Sequence, residues 1–480
     1  MIKTTKISSV VHESLLVGIF SAVIVSVFMI ITRNTIFPYD SGYYFFLSES
    51  FFFNERFSLF NFPSSIRGII FPLILGMSNR VSVFIFGNPI YGWHILISLL
   101  SFPFMLSYYR VFGKLRIGIH RIIPYELIIL ILVWSGLFIA PLSDFVALFF
   151  LIFALSFLLL SYDFVLLGCE IRSIIFAVMA GGFFYISYNT RTIYVVCAFG
   201  FLGLFIYFTR AMSSRKGKLI TLLVSFLIGF IIFGIPQGIV NYYHLEIISI
   251  AVPTGSLNQF QLYQGIRMNF YETCIMPNTP SNFTYFNRSG LMLLESVGIR
   301  GEISYRQYIS LLLRYPFEMV GVLTRHFIVM MNPISGGAYI TSRNNTRFLL
   351  TMLNYTILFL LGDIIKQKIL SLELHQIRTK IINMSVDAKI NYMSAFTLLL
   401  PFFAIIPGAV EERFALPFWL VSYFLVLKHA RIRLFIERLR KYPFKYILCY
   451  VGGLCLFIAI LTEIYANNNG NIFLPILRVF

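Results

Sequence analysis

The residues of this chain that are best suited to chemistry lie directly after its first hydrophobic run. Residues 36–44 read Ile-Phe-Pro-Tyr-Asp-Ser-Gly-Tyr-Tyr, so that Asp40 is an acid among aromatic side chains. Apolar surroundings weaken the competition from water for a carboxylate, which can then accept a proton as a general base. The alternative is a solvated loop acid. The stretch therefore gives one candidate base. Whether Asp40 belongs to a functional site depends on which residues further along the chain accompany it.

A second charged group lies in the last turn that we place on the same side of a membrane. Residues 407–417 contain Glu411, Glu412 and Arg413 between apolar runs on both sides. Charges at the mouth of a membrane helix are costly unless they are paired or functional. The alternative to a functional site is a Glu–Arg pair that anchors a helix end. Two other polar helix ends reach the same side: residues 141–144, with Ser143 and Asp144, and residues 188–192, with Asn189 and Arg191.

The composition defines the class of protein that carries these residues. Hydrophobic residues make up 58% of the 480 positions, and charged residues only 12%. A soluble domain this apolar would expose large adhesive patches, so we infer a polytopic membrane protein. The five cysteines are scattered, which argues against a disulfide framework and a cysteine-based metal site. No small-residue cleavage site follows the first apolar run, and we expect that run to be a retained helix.

Apolar segments of helical length predict about eleven transmembrane helices. The predicted spans are Ser14–Ile31, Tyr91–Tyr109, Pro124–Ala140, Asp144–Leu160, Ser173–Tyr188, Thr192–Phe208, Leu219–Ile235, Phe348–Ile365, Tyr392–Ile406, Phe414–Leu427 and Tyr446–Leu461. Two more apolar stretches, Ile69–Phe86 and Pro316–Asn332, contain charged residues. Because a charge near the bilayer centre costs about 2.5–3.5 kcal/mol, we expect both to lie along the membrane surface and to border the candidate site.

The lysine positions orient these helices. With the N-terminus inside and eleven spans, every lysine falls on the cytoplasmic side, as the positive-inside rule requires. The lysines are Lys3, Lys6, Lys114, Lys216, Lys218, Lys366, Lys368, Lys380, Lys389, Lys428, Lys441 and Lys445. The outer side then keeps only arginine, whose planar guanidinium can bind phosphate or carboxylate with two hydrogen bonds. The alternative for most outer arginines is simple solvation of a loop.

Together these features predict an all-α membrane protein with about eleven transmembrane helices. We expect juxtamembrane helices in the first outer loop and one large outer loop region. The predicted segments are an N-terminal transmembrane module with the first outer loop (1–236), an extracytoplasmic loop region (237–347) and C-terminal transmembrane helices (348–480).

The order and the common sidedness of these motifs resemble the GT-C superfamily of polytopic glycosyltransferases. The similarity is to the branch with protein O-mannosyltransferases and bacterial aminoarabinose transferases. In that branch an acid follows the first span and an aromatic residue comes four positions later, as Asp40 and Tyr44 do here. A Pro-containing element with a basic residue, here residues 62–68 with Arg67, then leads to the second span.

Three later family motifs have counterparts as well. The Ser-Asp at the outer start of a span corresponds to Ser143 and Asp144. The Thr-Arg-Pro motif corresponds to residues 190–192, where Thr192 replaces the proline. The late Glu-x-Arg-Tyr/Phe-x-x-Pro motif resembles residues 411–417.

The resemblance implies an inverting glycosyltransferase whose catalytic module is segment 1–236 and whose donor is a polyprenyl-phosphate-linked monosaccharide. Asp40 would be the catalytic base on an acceptor hydroxyl. Arginines would stabilise the charge left on the phosphate, and the candidates in order are Arg413, Arg191 and Arg67. The expected substrate-binding set also contains Tyr43, Tyr44, Asp144, Glu411 and Glu412. Guanidinium groups can balance a single phosphate, so no obligatory metal or other cofactor is expected.

The implied chemistry leaves alternatives open. Relatives often carry two adjacent acids at the first site, whereas Ser41 follows Asp40, so a second acid remains to be chosen among Glu49, Asp144 and Glu411. Besides monosaccharide transfer to a cell-envelope glycan or lipid, the chain could be a polymerase or ligase that uses lipid-diphosphate glycans. A flippase or transporter of lipid-linked sugars is the third class, which paired discontinuous helices in two related halves would favour.

The expected partners are membrane lipid, the lipid-linked sugar donor and a glycan or glycolipid acceptor, with no nucleic acid. The few charges and short loops favour a bacterial inner membrane, with the site facing the periplasm or exterior.

Overall fold

Helices form nearly all of the computed structural model of this protein. It describes residues 2–32, 37, 39–53, 56–63, 67–113, 131, 133–211, 216–274, 282–334, 339–340, 346–366, 386–429, 440 and 443–466. The helices before the small sheet are α1 Ile2–Thr32, α2 Tyr39–Ser50, α3 Ile70–Phe86, α4 Gly92–Gly113, α5 Ser135–Ile139, α6 Ser143–Leu166, α7 Glu170–Thr190, α8 Cys197–Ala211, α9 Lys216–Leu245 and α10 Leu257–Arg267. Those after its first hairpin are α11 Arg288–Ser296, α12 Tyr305–Arg314, α13 Pro316–Met330, α14 Thr346–Ile365, α15 Val386–Ile405, α16 Leu416–His429 and α17 Pro443–Ala466. The predicted all-α class is confirmed.

Seven of the described helices are long and apolar enough to cross a membrane. Their apolar parts are Leu15–Thr32, Pro89–Phe112, Ser143–Leu166, Glu170–Thr190, Gly217–Leu245, Phe348–Ile365 and Phe444–Tyr465. They support a multi-pass membrane protein, whereas the count of about eleven spans stays a prediction. Residues 124–130 and 132 of the predicted span Pro124–Ala140 lie outside the described residues, as do Lys114, Lys368, Lys380 and Lys441.

Contacts divide the chain into two compact units. Unit 1 comprises Met1–Ile128, Leu137–Pro253 and Lys380–Pro401, and unit 2 comprises Ile129–Gly136, Thr254–Thr379 and Phe402–Phe480. The segment boundaries at residues 236 and 347 remain a sequence prediction. The helix α9 continues past the first of them to Leu245.

The core of unit 1 is built around α6. Its side chains are buried on all sides over most of its length, as expected for a helix that is apolar all round. It packs against α7 and α4, and α7 packs in turn against α9. A Cβ on Gly181 would lie 1.8 Å from the Phe226 carbonyl oxygen, and one on Gly229 would lie 1.9 Å from that of Val178. These glycines therefore let the backbones of α7 and α9 approach closely.

The helices α2 and α3 come between α1 and α4 in the sequence and pack against each other, and α1 packs directly against α4. The helix α3 continues through its polar residues, and two of them are buried with hydrogen-bond partners. Ser78 donates to the Gly92 carbonyl at 2.7 Å, and Asn79 donates to Glu49 at 2.6 Å. Arg80 pairs with Glu49 at 3.0 Å. Helices α3 and α13 have 17 and 15 residues, fewer than the ~20 that usually cross a hydrocarbon core. Their predicted place along the membrane surface is compatible with these lengths and stays a prediction.

The predicted outer region contains a small folded subdomain of unit 2. The strands β1 Met268–Cys274, β2 Asn282–Phe286 and β3 Tyr339–Ile340 form a sheet in the order β2-β1-β3. Strand β1 is antiparallel to β2 and parallel to β3. An apolar cluster joins α10 to α13 and consists of Ile266, Leu293, Leu294, Ile303, Tyr308, Leu311 and Met319. We call α10–α13 with this sheet the outer subdomain.

Candidate functional site

Asp40 forms an ion pair with Arg67 in unit 1. Asp40 lies in the first turn of α2, and Tyr44 follows one turn later on the same face, since residues four apart are neighbours on a helix. The Arg67 Nη2 lies 3.0 Å from the Asp40 Oδ1, and the guanidinium carbon lies 5.4 Å from the centre of the Tyr44 ring. The structure thus brings together three of the residues that the sequence proposes for the site.

This ion pair is accessible, whereas the aromatic residue beside it is packed. The side chains of Arg67 and Asp40 are 31% and 33% exposed. Tyr44 is buried against Phe71, with ring centres 4.9 Å apart. Its ring therefore forms a fixed surface beside the Arg67 guanidinium. Tyr43 is exposed and stacks on Phe46 instead. A carboxylate and a guanidinium therefore share one accessible surface beside a buried aromatic ring.

Two buried amides fix the backbone that carries Arg67. The Asn189 Oδ1 accepts the Ile70 N–H at 2.8 Å, and the Gln237 Oε1 accepts the Ile69 N–H at 3.0 Å. The Asn189 Nδ2 donates to the same Gln237 oxygen at 2.9 Å. A Cβ on Gly68 would lie 1.9 Å from the Asn189 carbonyl oxygen, so only glycine fits between Arg67 and these amides. We call Asn189 and Gln237 the amide clasp.

The amide clasp continues along α9 to Asn241. The Gln237 Nε2 donates to the Asn241 Oδ1 at 2.8 Å. The Asn241 Nδ2 in turn donates to the carbonyls of Ser249 and Ala251. All three amide side chains are at most 3% exposed, where an unbonded amide would be costly. This chain of bonds holds the start of α3, the end of α7 and the segment after α9 in one arrangement.

Asp144 and Arg191 form a second ion pair in unit 1. Asp144 is in the first turn of α6, and Arg191 ends α7 two residues after Asn189. Their side chains are 4% and 17% exposed. The amide clasp therefore fixes the chain next to both arginines, although this second pair is much less accessible than the first.

Gln237 was not among the site residues proposed from the sequence, which placed it at the start of the predicted outer region. The available signal was a pair of amides four residues apart, Gln237 and Asn241, at the end of an apolar helix. Glu49, one of the candidates for a second acid, pairs with Arg80. It follows Asp40 by nine residues on α2, which is about 13 Å along the axis, so it does not reach the Asp40 carboxylate.

Glu411, Glu412 and Arg413 form a buried turn in unit 2 at the start of α16. The Arg413 Nη2 and Nε lie 2.8 Å from the two carboxylate oxygens of Glu411, and the Tyr271 hydroxyl also donates to Glu411. The Glu412 Oε2 accepts the Ile334 N–H at 2.9 Å. This geometry is that of the Glu–Arg anchor considered from the sequence, and a role in substrate binding stays a prediction.

A buried histidine fixes the chain that leads into this turn. The His326 Nδ1 lies 2.6 Å from the carbonyl oxygen of Ile406, and its Nε2 lies 2.9 Å from that of Met268. Burial lowers the pKa of His326, while hydrogen bonds to the carbonyls of Ile406, Met268 and Gly265 oppose that shift. The ring thus joins α13 to β1 and to the segment before Glu411.

Within the described part of the chain, no three His, Cys, Asp or Glu side chains come together in a way that could hold a metal ion.

Comparison with known proteins finds no family model, no curated protein and no solved structure that matches this chain.

Proposed function

We propose that this protein is a membrane glycosyltransferase that moves a monosaccharide from a polyprenyl-phosphate-linked donor to a cell-envelope glycan or lipid. The transfer takes place on the extracytoplasmic face, in a bacterial inner membrane, and inverts the anomeric carbon. The observation that carries the proposal is the accessible contact between Asp40 and Arg67 over Tyr44. The resemblance of Asp40, Tyr44 and Arg67 to the first motifs of GT-C enzymes supports it.

In the proposed reaction the acceptor hydroxyl loses its proton to the Asp40 carboxylate. The acceptor oxygen forms a bond to the anomeric carbon while the bond from that carbon to the phosphate oxygen breaks. The bonding electrons stay on the phosphate, whose added charge Arg67 stabilises. A guanidinium has five N–H donors, so Arg67 can bind a phosphate oxygen and remain beside Asp40.

The test is transfer by the purified full chain in nanodiscs. The protein is incubated with polyprenyl-phosphate carrying a labelled monosaccharide and with a membrane extract as acceptor source. We expect label in a glycan or glycolipid product and release of the unglycosylated polyprenyl phosphate. Nuclear magnetic resonance of the product should show the opposite anomeric configuration.

The same assay separates the other two functional classes. Consumption of lipid-diphosphate oligosaccharide but not of the monophosphate donor would identify a polymerase or ligase. Movement of intact donor across the bilayer without release of polyprenyl phosphate would identify a flippase. Either result would overturn the proposal.

A further inference from the structure

The outer subdomain exposes several large apolar side chains on two successive helices, α12 and α13. On α12 these are Tyr305, Ile309 and Leu313, which are 58%, 57% and 77% exposed. On α13, Phe317 is 88% exposed and Val320 58%. We call these five residues the apolar stripe. Exposed apolar side chains grouped on two helices that contact each other indicate a binding surface, whereas single ones are common on any surface.

The apolar stripe lies apart from the core of the outer subdomain. Tyr308, Leu311 and Met319 on the same two helices pack into the buried apolar cluster. At 100° per residue, the three stripe residues of α12 occupy a sector of about 80°. Tyr308 and Leu311 fall outside that sector, so the stripe is a second apolar face. The folding of the subdomain does not account for it.

Arginine borders this second face. Arg306 follows Tyr305 directly and lies about 20° beyond Leu313 around the helix, and its side chain is exposed. An apolar helix face with a basic residue at its margin is typical of helices in the membrane interface, where the cation reaches the phosphate groups.

One of the two helices that carry the stripe contacts a candidate membrane-spanning helix. Helix α13 packs against α17, whose apolar part Phe444–Tyr465 is a candidate span. Arg325 on α13 lies 3.4 Å from Glu463 in the last turn of α17. The α13 helix is thus attached at the end of a span, which is the level of the boundary between bilayer and water.

From these observations we propose that the apolar stripe is immersed in the outer leaflet, with phospholipid as its partner. Its side chains contact the upper acyl chains, and Arg306 contacts lipid phosphates. The outer subdomain is then held to the bilayer at α12 and α13 in addition to its connection through α17. This inference is independent of glycosyl transfer.

Tryptophan placed in the stripe measures its immersion directly. Leu313→Trp is compared with Gln307→Trp, which puts the same probe on an exposed position of α12 outside the apolar sector. The native Trp93, Trp134 and Trp419 have no exposed surface, so we expect lipid bromine to quench them less than an exposed tryptophan. Both variants of the full chain are placed in nanodiscs of phosphatidylcholine with ordinary or brominated acyl chains.

We expect bromine to reduce the added emission of Leu313→Trp by roughly twofold or more, because an interfacial helix buries its apolar face about 5–10 Å into the headgroup and acyl boundary. Gln307→Trp should behave like the unmodified protein. Ile309→Trp is a second stripe probe and should match Leu313→Trp. If neither stripe probe is quenched more than Gln307→Trp, the stripe faces water or is covered by protein, and the proposal is wrong.

Discussion

Asp40 and Arg67 can be tested as a functional pair because the same unit contains a matched ion pair. Asp163 lies 2.5 Å from Arg110, and these side chains are 29% and 30% exposed, nearly the same as those of the Asp40 pair. Asp163 is at the far end of α6 from Asp144. Loss of an exposed ion pair costs about 0–1 kcal/mol of stability, so we expect a small and similar loss of stability when either of these partly exposed pairs is removed.

For Asp40→Asn we expect sugar transfer to fall by about 10²–10⁴-fold, since the amide cannot act as a general base. Donor binding and melting temperature should change little. The control Asp163→Asn removes an equivalent ion pair and should keep wild-type transfer. Initial rates at saturating donor give the comparison, and a purified Asp40→Asn variant with a near wild-type rate would remove the proposed mechanism.

Arg413 requires a different test because its pair with Glu411 is buried. Arg413→Ala leaves the Glu411 carboxylate without its guanidinium, and loss of one partner of a buried pair costs on the order of 3–5 kcal/mol. We therefore expect a lower melting temperature together with weak donor use. Arg413→Lys should restore only part of both, since lysine lacks the two-bond fork.

The double variant Arg413→Met with Glu411→Gln separates the two roles of Arg413. It removes the unpaired buried charge and should recover much of the lost stability, because the remaining amide is neutral. If Arg413 binds the donor phosphate, donor use should stay weak in the double variant although the protein is folded. Recovery of both the melting temperature and normal transfer would show that Arg413 only anchors the start of α16.

At the scale of elements, the amide clasp predicts that substitutions of Gln237 and Asn241 have different effects on donor binding. Gln237→Leu removes the acceptor of the Ile69 N–H, while Asn241→Leu removes bonds only on the far side of Gln237. Each substitution leaves buried polar groups unpaired and should cost about 1–3 kcal/mol of stability. Only Gln237→Leu should displace Arg67 and raise the donor KM.

Chemical modification checks this prediction without any assumption about the reaction. Phenylglyoxal modifies accessible arginines, and mass spectrometry measures its incorporation at Arg67. We expect faster modification of Arg67 in Gln237→Leu than in Asn241→Leu. Only the first substitution removes the hydrogen bond that holds the Ile69 backbone, two residues after Arg67. Equal rates in the two variants, with equal donor KM values, would show that the clasp serves general stability.

At the scale of the whole molecule, ion pairs in unit 1 agree with the predicted sides of the membrane. Arg110 with Asp163 and Lys218 with Glu170 lie at helix ends predicted to be cytoplasmic. Asp144 and Asp163 are separated by 19 residues of α6, about 28 Å along its axis. That distance approaches the roughly 30 Å of a hydrocarbon core.

The orientation itself predicts which loops an impermeant thiol reagent reaches in intact cells. Glu302→Cys in the outer subdomain should be labelled, and Lys445→Cys at the start of α17 should not. Both positions are exposed, so a difference reports sidedness and not burial. The native cysteines are first replaced, and permeabilised cells serve as the positive control. Labelling of both cysteines in intact cells would contradict the predicted topology.

The sequence by itself determined the helical class and the positions of the long apolar helices. Hydrophobicity is a property of each residue and its near neighbours, so the apolar segments located the ends of α6 and α7 to within one to six residues. The sequence related Asp40 and Tyr44 only through a spacing of four residues that resembles a family motif, and the helix α2 places them on one face. Glu411 and Arg413 are two residues apart in the chain, so the sequence could suggest a Glu–Arg pair there for the same local reason.

Only the tertiary structure decided which distant polar groups meet. The bonds from Gln237 and Asn189 to the start of α3 join residues 168 and 119 positions apart. No local pattern specifies such partners, because a buried amide is satisfied by whichever backbone the packing brings to it. The same reason explains the contact of His326 with Ile406 and Met268. The folded subdomain within 237–347 and its second apolar face likewise depend on how remote helices cover one another.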